Sequence, residues 1–442
     1  MVLYPTPGFL LFGAVDEGPC RGLFAAQGRV FGVMGAVLYE FYADGTSTNR
    51  GTLDRDANPA TFATNGDVGN QLMITSGTTG YILDLTTNVL TSVVADVTFC
   101  GYVDGFFVAL DATTSTLKIS DLSNGLVWDP TQIQQRSAGA DPWKSMLVSN
   151  RDIWLFGSLT TEVWYNAGTS PFPFALNPSG FMEHGIGAAF SAARVGGIPT
   201  WLGQNDQGGG VVLSAVNGYG GPPKPISTEP VAFAIQGYQA IDDAIGLTYQ
   251  DQGHDFYLAN FQGAGATWGY DLKTDQWHER LYWNSTTGAW EAYRPVFHCY
   301  AFGKHLVGDR ITGTIFQMSI TFATEVDGAT TGVRRNRRAP HLASETKWIA
   351  YPSIVIDLEQ GIGLTNGQGS DPQAMLKWSD DGARTWGNEL WRTAGKIGAY
   401  RTRLEWARCG ASRDRVFDLT WSEPVPLRMV GAYIGDPKVG LS

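Results

Sequence analysis

The stretch WLFGSLTTEVWYNAGTSPFPFALNPSG, residues Trp154–Gly180, is the part of the chain from which the fold is best predicted. The apolar run Ile153–Phe156 is followed by a short turn and by Thr160–Tyr165, in which apolar and polar side chains alternate, so a β-hairpin is predicted. Two prolines then flank Phe172, and proline lacks the backbone N–H that a central strand needs. The stretch therefore predicts a hairpin that ends in a stiff apolar segment, and none of its residues forms a catalytic pattern.

The two phenylalanines of that segment, Phe172 and Phe174, allow two interpretations. Aromatic side chains concentrate binding energy at protein interfaces, so the segment could be an apolar plug that docks into a neighbouring molecule. Aromatic side chains also fill the space between packed sheets, and core packing is the commoner role.

The composition favours an all-β protein with short strands. The 442 residues include 55 glycines and 15 tryptophans, whereas only 17% of the residues are charged. Glycine permits tight turns, and large aromatic side chains pack well between sheets. A chain of this length can bury one large core or two to three separate ones.

Short hairpins recur along the first three quarters of the chain at the spacing expected for the blades of a β-propeller. The repeat is one of shape, because the blades cannot be aligned residue by residue and their number cannot be counted. The clearest candidates are Val30–Val33 with Ala36–Tyr42, Leu72–Thr75 with Tyr81–Leu85, and Phe106–Leu110 with Thr116–Ser120. A short helix or an insertion between blades is predicted near Pro130–Asn150.

The main boundary lies at residues 328–347, where the sequence GATTGVRRNRRAPHLASETK is polar and basic. We interpret residues 1–327 as a β-propeller body with insertions and residues 328–347 as a basic linker or loop. Residues 348–442 are rich in tryptophan and patterned as strands, so they form a C-terminal β module. That module is either a separate, sandwich-like domain or the part that completes the propeller ring.

The net charge of −11 argues against a general nucleic-acid-binding protein, which needs a basic surface to neutralise phosphates. It is compatible with a conduit for DNA, because a repelling wall would let the polymer slide. It fits an ordinary acidic protein equally well.

Several classes of site are not indicated by the sequence. The four cysteines, Cys20, Cys100, Cys299 and Cys409, are far apart, and the six histidines show no metal-ligand spacing, so no metal, cofactor or catalytic residue is predicted. The glycine-rich run Gly203–Val211 lacks the lysine of a phosphate-binding loop. Neither a secretory signal nor a membrane-spanning segment is predicted.

The one dense basic run consists of Arg334, Arg335, Arg337 and Arg338. Arginine binds phosphate and carboxylate groups through two parallel hydrogen bonds, so these residues could face DNA or dock on an acidic surface of a neighbouring subunit. A solvated loop without a partner is the third interpretation, because charge runs usually stay in water. The net negative charge of the whole chain favours a contact of these arginines with a neighbouring protein over a contact with DNA.

Ten short stretches, taken in order, make the chain similar to the packaged-DNA stabilisation proteins of short-tailed bacteriophages, also called tail nozzle or tail hub proteins. The stretches are Tyr4–Gly8, Gly18–Leu23, Asn70–Asp84, Val103–Val108, Glu162–Phe174, Trp201–Gly203, Ile226–Thr228, Ser379–Trp386, Gly398–Arg403 and Ala411–Pro426. Each is short, but together they span nearly the whole chain.

The resemblance implies a propeller-based structural subunit of the virion tail that is assembled in the bacterial cytoplasm. It implies a ring of identical subunits, a hexamer, below the portal and its adaptor proteins. Such a ring extends the channel for double-stranded DNA, retains the packaged genome, takes part in its ejection, and contacts the tail needle, fibres or spikes. The family provides no catalytic residues.

The segment SDDGARTW, Ser379–Trp386, resembles the Asp-box turn of sialidase-type propellers, with Ala383 where that motif usually has glycine. We expect Ser379, Asp381, Thr385 and Trp386 to hold a structural hairpin, because short polar side chains commonly satisfy turn N–H groups. The alternative function is a propeller glycosidase or carbohydrate-binding protein, but a glycosidase needs paired carboxylates, and no spacing here pairs them.

Overall fold

The structure, a computed structural model, describes residues 5–136, 138–205, 208–326 and 328–440. Two short α-helices are present among these residues, and the other regular elements are β-strands, numbered here in chain order. The chain forms two compact units, Phe12–Phe316 and Met1–Leu11 with Gln317–Ser442. The first strand, β1 (Gly8–Ala14), and the strand β31 described below both extend across a limit between the units.

The first three sheets of the larger unit are four-stranded antiparallel meanders. A short helix, α1 (Gly66–Gly69), lies between the first two strands of the second sheet. Blade 1 contains β2 (Cys20–Ala26), β3 (Arg29–Met34), β4 (Val37–Phe41) and β5 (Ser47–Thr52); blade 2 contains β6 (Thr61–Thr64), β7 (Gln71–Ser76), β8 (Thr79–Asp84) and β9 (Leu90–Ala95); and blade 3 contains β10 (Phe99–Val103), β11 (Phe106–Asp111), β12 (Thr116–Ile119) and β13 (Ile133–Gln135).

Four further sheets follow in the same unit. Blade 4 contains β14 (Trp143–Ser149), β15 (Asp152–Gly157), β16 (Thr161–Asn166) and β17 (Phe174–Met182); blade 5 contains β18 (Gly185–Ile186), β19 (Ala193–Val195), β20 (Ile198–Asn205), β21 (Gly208–Ser214) and β22 (Lys224–Pro225); and blade 6, after α2 (Glu229–Gln236), contains β23 (Ile245–Asp251), β24 (His254–Phe261), β25 (Ala266–Asp271) and β26 (Gln276–Glu279). A separate hairpin, β27 (Leu281–Asn284) and β28 (Ala289–Ala292), precedes blade 7, which contains β29 (Pro295–Ala301), β30 (Lys304–Asp309) and β31 (Thr314–Ser319).

The seven sheets in the described part of this unit form a closed ring, so the unit is a β-propeller. Neighbouring blades contact one another in chain order through their inner strands, and β29 of blade 7 contacts β2 of blade 1. Blade 7 takes its outer strand from the beginning of the chain, because its strand order is β1-β31-β30-β29. Strands from opposite ends of the unit therefore share one sheet and close the ring.

The hairpin predicted from Trp154–Gly180 is confirmed, because β15 and β16 pair with Ile153 opposite Trp164. After the two prolines the chain resumes as β17, the outer strand of blade 4. The predicted helix near Pro130–Asn150 is wrong, since that region contains β13 and β14. Blade packing accounts for this: β14 places Trp143 in the core, 5.7 Å from the Trp164 ring.

The connections between strands repeat more regularly than the strands themselves. In six blades the inner strand and its neighbour are joined by two residues that both have positive φ, the geometry of a type I′ hairpin turn. Right-twisted strands favour this turn, and glycine occupies its second position in five of the six cases. The pairs are Gln27–Gly28, Asp104–Gly105, Asn150–Arg151, Gly196–Gly197, Gln252–Gly253 and Phe302–Gly303.

A second repeated turn begins with Asp or Asn and has Thr three residues later. In each case the first side chain accepts a hydrogen bond from the backbone N–H or the hydroxyl group of that threonine. Such side-chain acceptors stabilise turns by satisfying backbone donors. The segments are Asp84–Thr87, Asp111–Thr114, Asp271–Thr274, Asn284–Thr287 and Asp309–Thr312.

The smaller unit forms a β-sandwich. One sheet has the order β34-β42-β38-β39, with β35 also paired to β42, and a second has the order β40-β37-β43. A separate three-stranded sheet has the order β41-β36-β44, and β32 pairs with β33. Ile354 and Trp406 of the second sheet belong to the same buried core as Leu376 and Phe417 of the first. The strands are β32 (Thr324–Glu325), β33 (Gly328–Gly332), β34 (Arg335–Arg338), β35 (Leu342–Ala343), β36 (Ile349–Ala350), β37 (Ser353–Leu358), β38 (Gln373–Ser379), β39 (Leu390–Thr393), β40 (Leu404–Ala407), β41 (Ala411–Ser412), β42 (Asp414–Trp421), β43 (Met429–Gly435) and β44 (Lys438–Val439).

The C-terminal module is thus a sandwich with its own core rather than a further part of the propeller ring. The interpretation of residues 328–347 as a linker or loop is wrong for Arg335–Arg338, which pair with β42 over the whole of β34. The proposed limits at 327/328 and 347/348 stay predictions.

Candidate functional site

The predicted arginine run does not act as one surface, because a strand turns successive side chains to opposite faces. Arg335 is 4% exposed and points into the sandwich, whereas Arg337 and Arg338 are exposed. Arg334 is half-buried. Arg337 and Arg338 therefore remain as the exposed members of the run, and they lie on opposite faces of β34.

Arg335 is unusual among the described residues, because none of its three guanidinium nitrogens has a hydrogen-bond partner there. Burial lowers the pKa of Arg335 to about 10, an effect that the negative charge of Glu325 opposes. The guanidinium still carries its charge at neutral pH. Arg335 is corrected from an interface candidate to an interior residue, which cannot reach DNA or another subunit.

The structure brings the arginine run and the Asp-box-like turn together. The guanidinium carbon of Arg338 lies 4.8 Å from the centre of the Trp386 ring, and the Lys377 ammonium lies 5.4 Å from the same centre. Both cations are placed to interact with the indole. Arg338 also donates a hydrogen bond of 3.2 Å from Nε to the buried Asp418 carboxylate. We call Arg338, Lys377 and Trp386 the basic patch.

The turn itself is held by its own side chains. Ser379 Oγ accepts a hydrogen bond from the Ala383 N–H at 2.9 Å, and Asp381 accepts hydrogen bonds from the Thr385 N–H at 2.9 Å and the Thr385 hydroxyl at 2.6 Å. These hydrogen bonds, the largest from Thr385, hold the pKa of Asp381 well below its usual range. Ala383 has φ of +67°, a conformation that explains why glycine is usual at this position.

Phe172 and Phe174 lie in the propeller core. They are 8% and 3% exposed and belong to one buried cluster with Trp143 and Trp164. Their ring centres are 6.0 Å apart in an edge-to-face arrangement. The interface-plug interpretation is therefore wrong, because both rings are already covered within their own unit.

Two carboxylates that a glycosidase could use, Asp380 and Asp381, have structural partners. Asp380 accepts two hydrogen bonds from the buried Arg415, at 2.6 and 2.8 Å, and Asp381 holds the turn. Within the described ranges, no group of three or more His, Cys, Asp or Glu side chains could hold a metal ion. Neither α1 nor α2 is long and apolar enough to span a membrane, and the described residues form no other helix.

The surfaces of the two units carry net charges of opposite sign, which the net charge of the whole chain does not reveal. Residues 12–316 contain 28 acidic and 15 basic residues, whereas residues 317–442 contain 14 and 16. Among the described side chains classed as exposed, the propeller has 13 acidic and five basic, and the sandwich has five acidic and ten basic. Residues 1–327 contain 30 acidic and 15 basic residues, and residues 348–442 contain 11 of each, so a separate count on either side of the predicted boundary shows that the charge is uneven but not that its sign changes.

Comparisons with known proteins identify the class. A family model described as "Bacteriophage P22 Gp10, beta-propeller" matches residues 1–323, and one described as "Bacteriophage P22 Gp10, beta-sandwich" matches residues 334–435. The chain is a structural protein of a bacteriophage tail. It belongs to the P22 Gp10 family, which confirms the resemblance found in the sequence.

Solved structures share only a distant likeness with the chain. Streptogramin B lyase is 8% identical with a TM-score of 0.45, and the match covers 71% of this chain and 98% of the lyase. The extracellular domain of the putative one-component system BT4673 from B. thetaiotaomicron is 11% identical with a TM-score of 0.47, covering 90% of this chain and 48% of that one. A comparison with curated proteins finds no match.

Proposed function

We propose that the protein forms a ring, a hexamer, below the portal and its adaptor proteins in the virion tail. The ring extends the channel for double-stranded DNA, retains the packaged genome and takes part in its ejection. It acts without enzymatic activity, and its other partners are the tail needle, fibres or spikes. Assembly takes place in the bacterial cytoplasm before the tail is completed.

The observation that carries this proposal is the match of two Gp10 family models, in order, to the propeller and the sandwich. The acidic propeller supports a conduit role, because exposed carboxylates repel a phosphate backbone and so do not hold DNA in place. We assign the basic patch to an acidic face of the adaptor, because Arg338 and Lys377 lie against an indole that limits their motion.

The test is the mass of the purified chain, alone and after mixing with the adaptor ring, measured by light scattering. We expect a monomer that becomes a closed multiple of the chain mass on the adaptor. An Arg338→Gln/Lys377→Gln variant should bind the adaptor more weakly, and Arg413→Gln/Lys438→Gln, which removes two exposed positive charges elsewhere on the sandwich, should not. A chain that stays monomeric with the adaptor at every concentration would contradict the proposal.

A further inference from the structure

Residues 390–403 of the sandwich form a second exposed surface, which the proposed function does not use. Trp391, Ile397 and Tyr400 are 49%, 57% and 72% exposed. Four exposed cations lie in the same short stretch of chain: Arg392, Lys396, Arg401 and Arg403. Exposed Trp and Tyr side chains together with Arg are the residue types that dominate binding at protein interfaces. We call this stretch the 390–403 surface.

The loop that presents these side chains is pinned at several points. The Gly398 N–H donates a hydrogen bond to the Gly361 carbonyl at 3.1 Å, and the Ala399 N–H donates one to the Lys396 carbonyl at 2.9 Å. A side chain at Gly361 would come within 2.4 Å of the Tyr400 ring, so the glycine lets that ring lie against the backbone. A loop fixed in this way loses little conformational entropy on binding.

The cations of this surface are poorly neutralised within the sandwich. Arg403 Nε lies 3.9 Å from Asp357 Oδ1, and its side chain is 72% exposed. Arg392 donates its hydrogen bonds to backbone carbonyls rather than to carboxylates. Arg401 makes no ion pair with any described residue. The surface therefore presents positive charge beside exposed aromatic rings, and a partner with exposed carboxylates would complement it.

We propose that the 390–403 surface docks on the propeller of a second copy of this chain. We choose the propeller as the partner because its charge complements that of the basic 390–403 surface: the described propeller exposes 13 carboxylates and five cations. A contact between two different surfaces of identical chains is heterologous, and it closes into a ring when the rotation between neighbours allows it. The inference rests on the proposed ring and names the contact that holds it together.

The test compares association of the full chain, on the adaptor and alone, by light scattering and sedimentation. Arg401→Glu/Arg403→Glu and, separately, Tyr400→Ala should each weaken association about tenfold, and added salt should weaken the wild type by screening. Arg413→Glu/Lys438→Glu, which makes the same charge change elsewhere on the sandwich, should associate as the wild type does. Circular dichroism of each variant checks that it is folded.

Mixing experiments identify the partner. Two propeller variants reverse exposed carboxylates at different places: Asp44→Lys/Asp67→Lys/Asp121→Lys and Asp16→Lys/Glu17→Lys/Asp54→Lys. One of them, mixed with Arg401→Glu/Arg403→Glu, should restore association that neither shows alone. If neither mixture restores association, the proposal is wrong.

Two further outcomes separate this inference from the proposed function. If the wild type never forms a multiple of the chain mass, both are wrong. If Arg401→Glu/Arg403→Glu forms the ring with wild-type affinity, only this inference is wrong. If Arg401→Glu/Arg403→Glu still forms the ring but no longer binds a short double-stranded DNA that the wild type binds, the partner of the surface is nucleic acid. That result would also overturn the inference.

Discussion

Glu162 shows how a single charged residue is accommodated inside the propeller. Its side chain is fully buried, and Oε1 accepts a hydrogen bond of 2.8 Å from Arg136 Nε, while Oε2 accepts one of 3.0 Å from Trp164 Nε1. Burying a charge is costly unless it is paired and hydrogen-bonded. Glu162 begins one of the ten stretches on which the family resemblance rests, and its contact with Arg136 ties blade 4 to the segment that follows β13 of blade 3.

Replacing Glu162 by Ala should reduce the free energy of unfolding by about 3 kcal/mol, because the buried Arg136 would keep only Asp141 as a charged partner and Trp164 Nε1 would lose its acceptor. Urea denaturation followed by tryptophan fluorescence measures the change. Glu183→Ala, at an exposed carboxylate just beyond β17, is the control and should change stability by less than about 0.5 kcal/mol. Equal effects of the two substitutions would show that the ion pair does not stabilise the blade.

Asp271 gives a prediction about pH. Burial acts to raise its pKa, but hydrogen bonds from His254, Thr274 and the Lys273 backbone outweigh burial and lower it. A lowered pKa in the folded state means that the unfolded chain binds the proton more tightly. The stabilisation is thus present above the ordinary aspartate pKa of about 3.9 and is lost as pH falls through the folded-state value.

We therefore expect the stability of the protein to decrease below about pH 4, and Asp271→Asn to reduce the steepness of that decrease. Urea unfolding at a series of pH values tests this. Asp242→Asn, at an exposed carboxylate, serves as the comparison, and Asp271→Asn should flatten the decrease more than it does. An unchanged slope in Asp271→Asn would contradict the assignment.

At the scale of elements, the feature that recurs most regularly from blade to blade is the conformation of the turns rather than the strands. Six inner hairpins use two residues with positive φ, although only one of them has Asn at the first position. Asn and Gly are the residues that tolerate this conformation best. Gln252, with φ of +49°, and Phe302, with φ of +55°, show that sheet packing can impose the turn on a less suitable residue.

Replacing Gln252 by Asn would create the favoured Asn-Gly pair and should increase the free energy of unfolding by about 0.5 kcal/mol. Thermal denaturation of the two proteins measures the difference. Gln276→Asn, at an exposed strand position, should not increase stability, because asparagine is disfavoured in strands. A lower melting temperature for Gln252→Asn would show that contacts of the Gln252 side chain outweigh the conformational gain.

At the scale of the whole molecule, the propeller is closed by pairing the two ends of its sequence. β1 is the outer strand of a sheet whose other three strands come from residues 295–319. A ring closed in this way is stable only if the first strand is in place, because blade 7 otherwise ends in an unpaired strand edge.

Deleting residues 1–14 should therefore destabilise the propeller by at least about 3 kcal/mol, from the loss of several backbone hydrogen bonds at about 1 kcal/mol each. Hydrogen exchange should show the largest loss of protection in β31. Deleting residues 436–440 removes β44, which pairs with β36 of the sandwich, and should leave protection in blade 7 unchanged. Full protection of β31 after the first deletion would contradict this account of ring closure.

The sequence by itself determined the fold class and the family, because alternating strands, glycine-rich turns and the order of short motifs are local features. It also placed Phe172 and Phe174 in a stiff apolar segment. Tertiary structure decided that their rings face the core, because burial depends on how blade 4 packs against its neighbours. Tertiary structure likewise decided which arginines are exposed, since β34 turns Arg335 into the sandwich and leaves Arg338 at the surface beside Trp386. The sequence identifies the arginines of the run, but the direction of each side chain depends on how their strand pairs within the sheet.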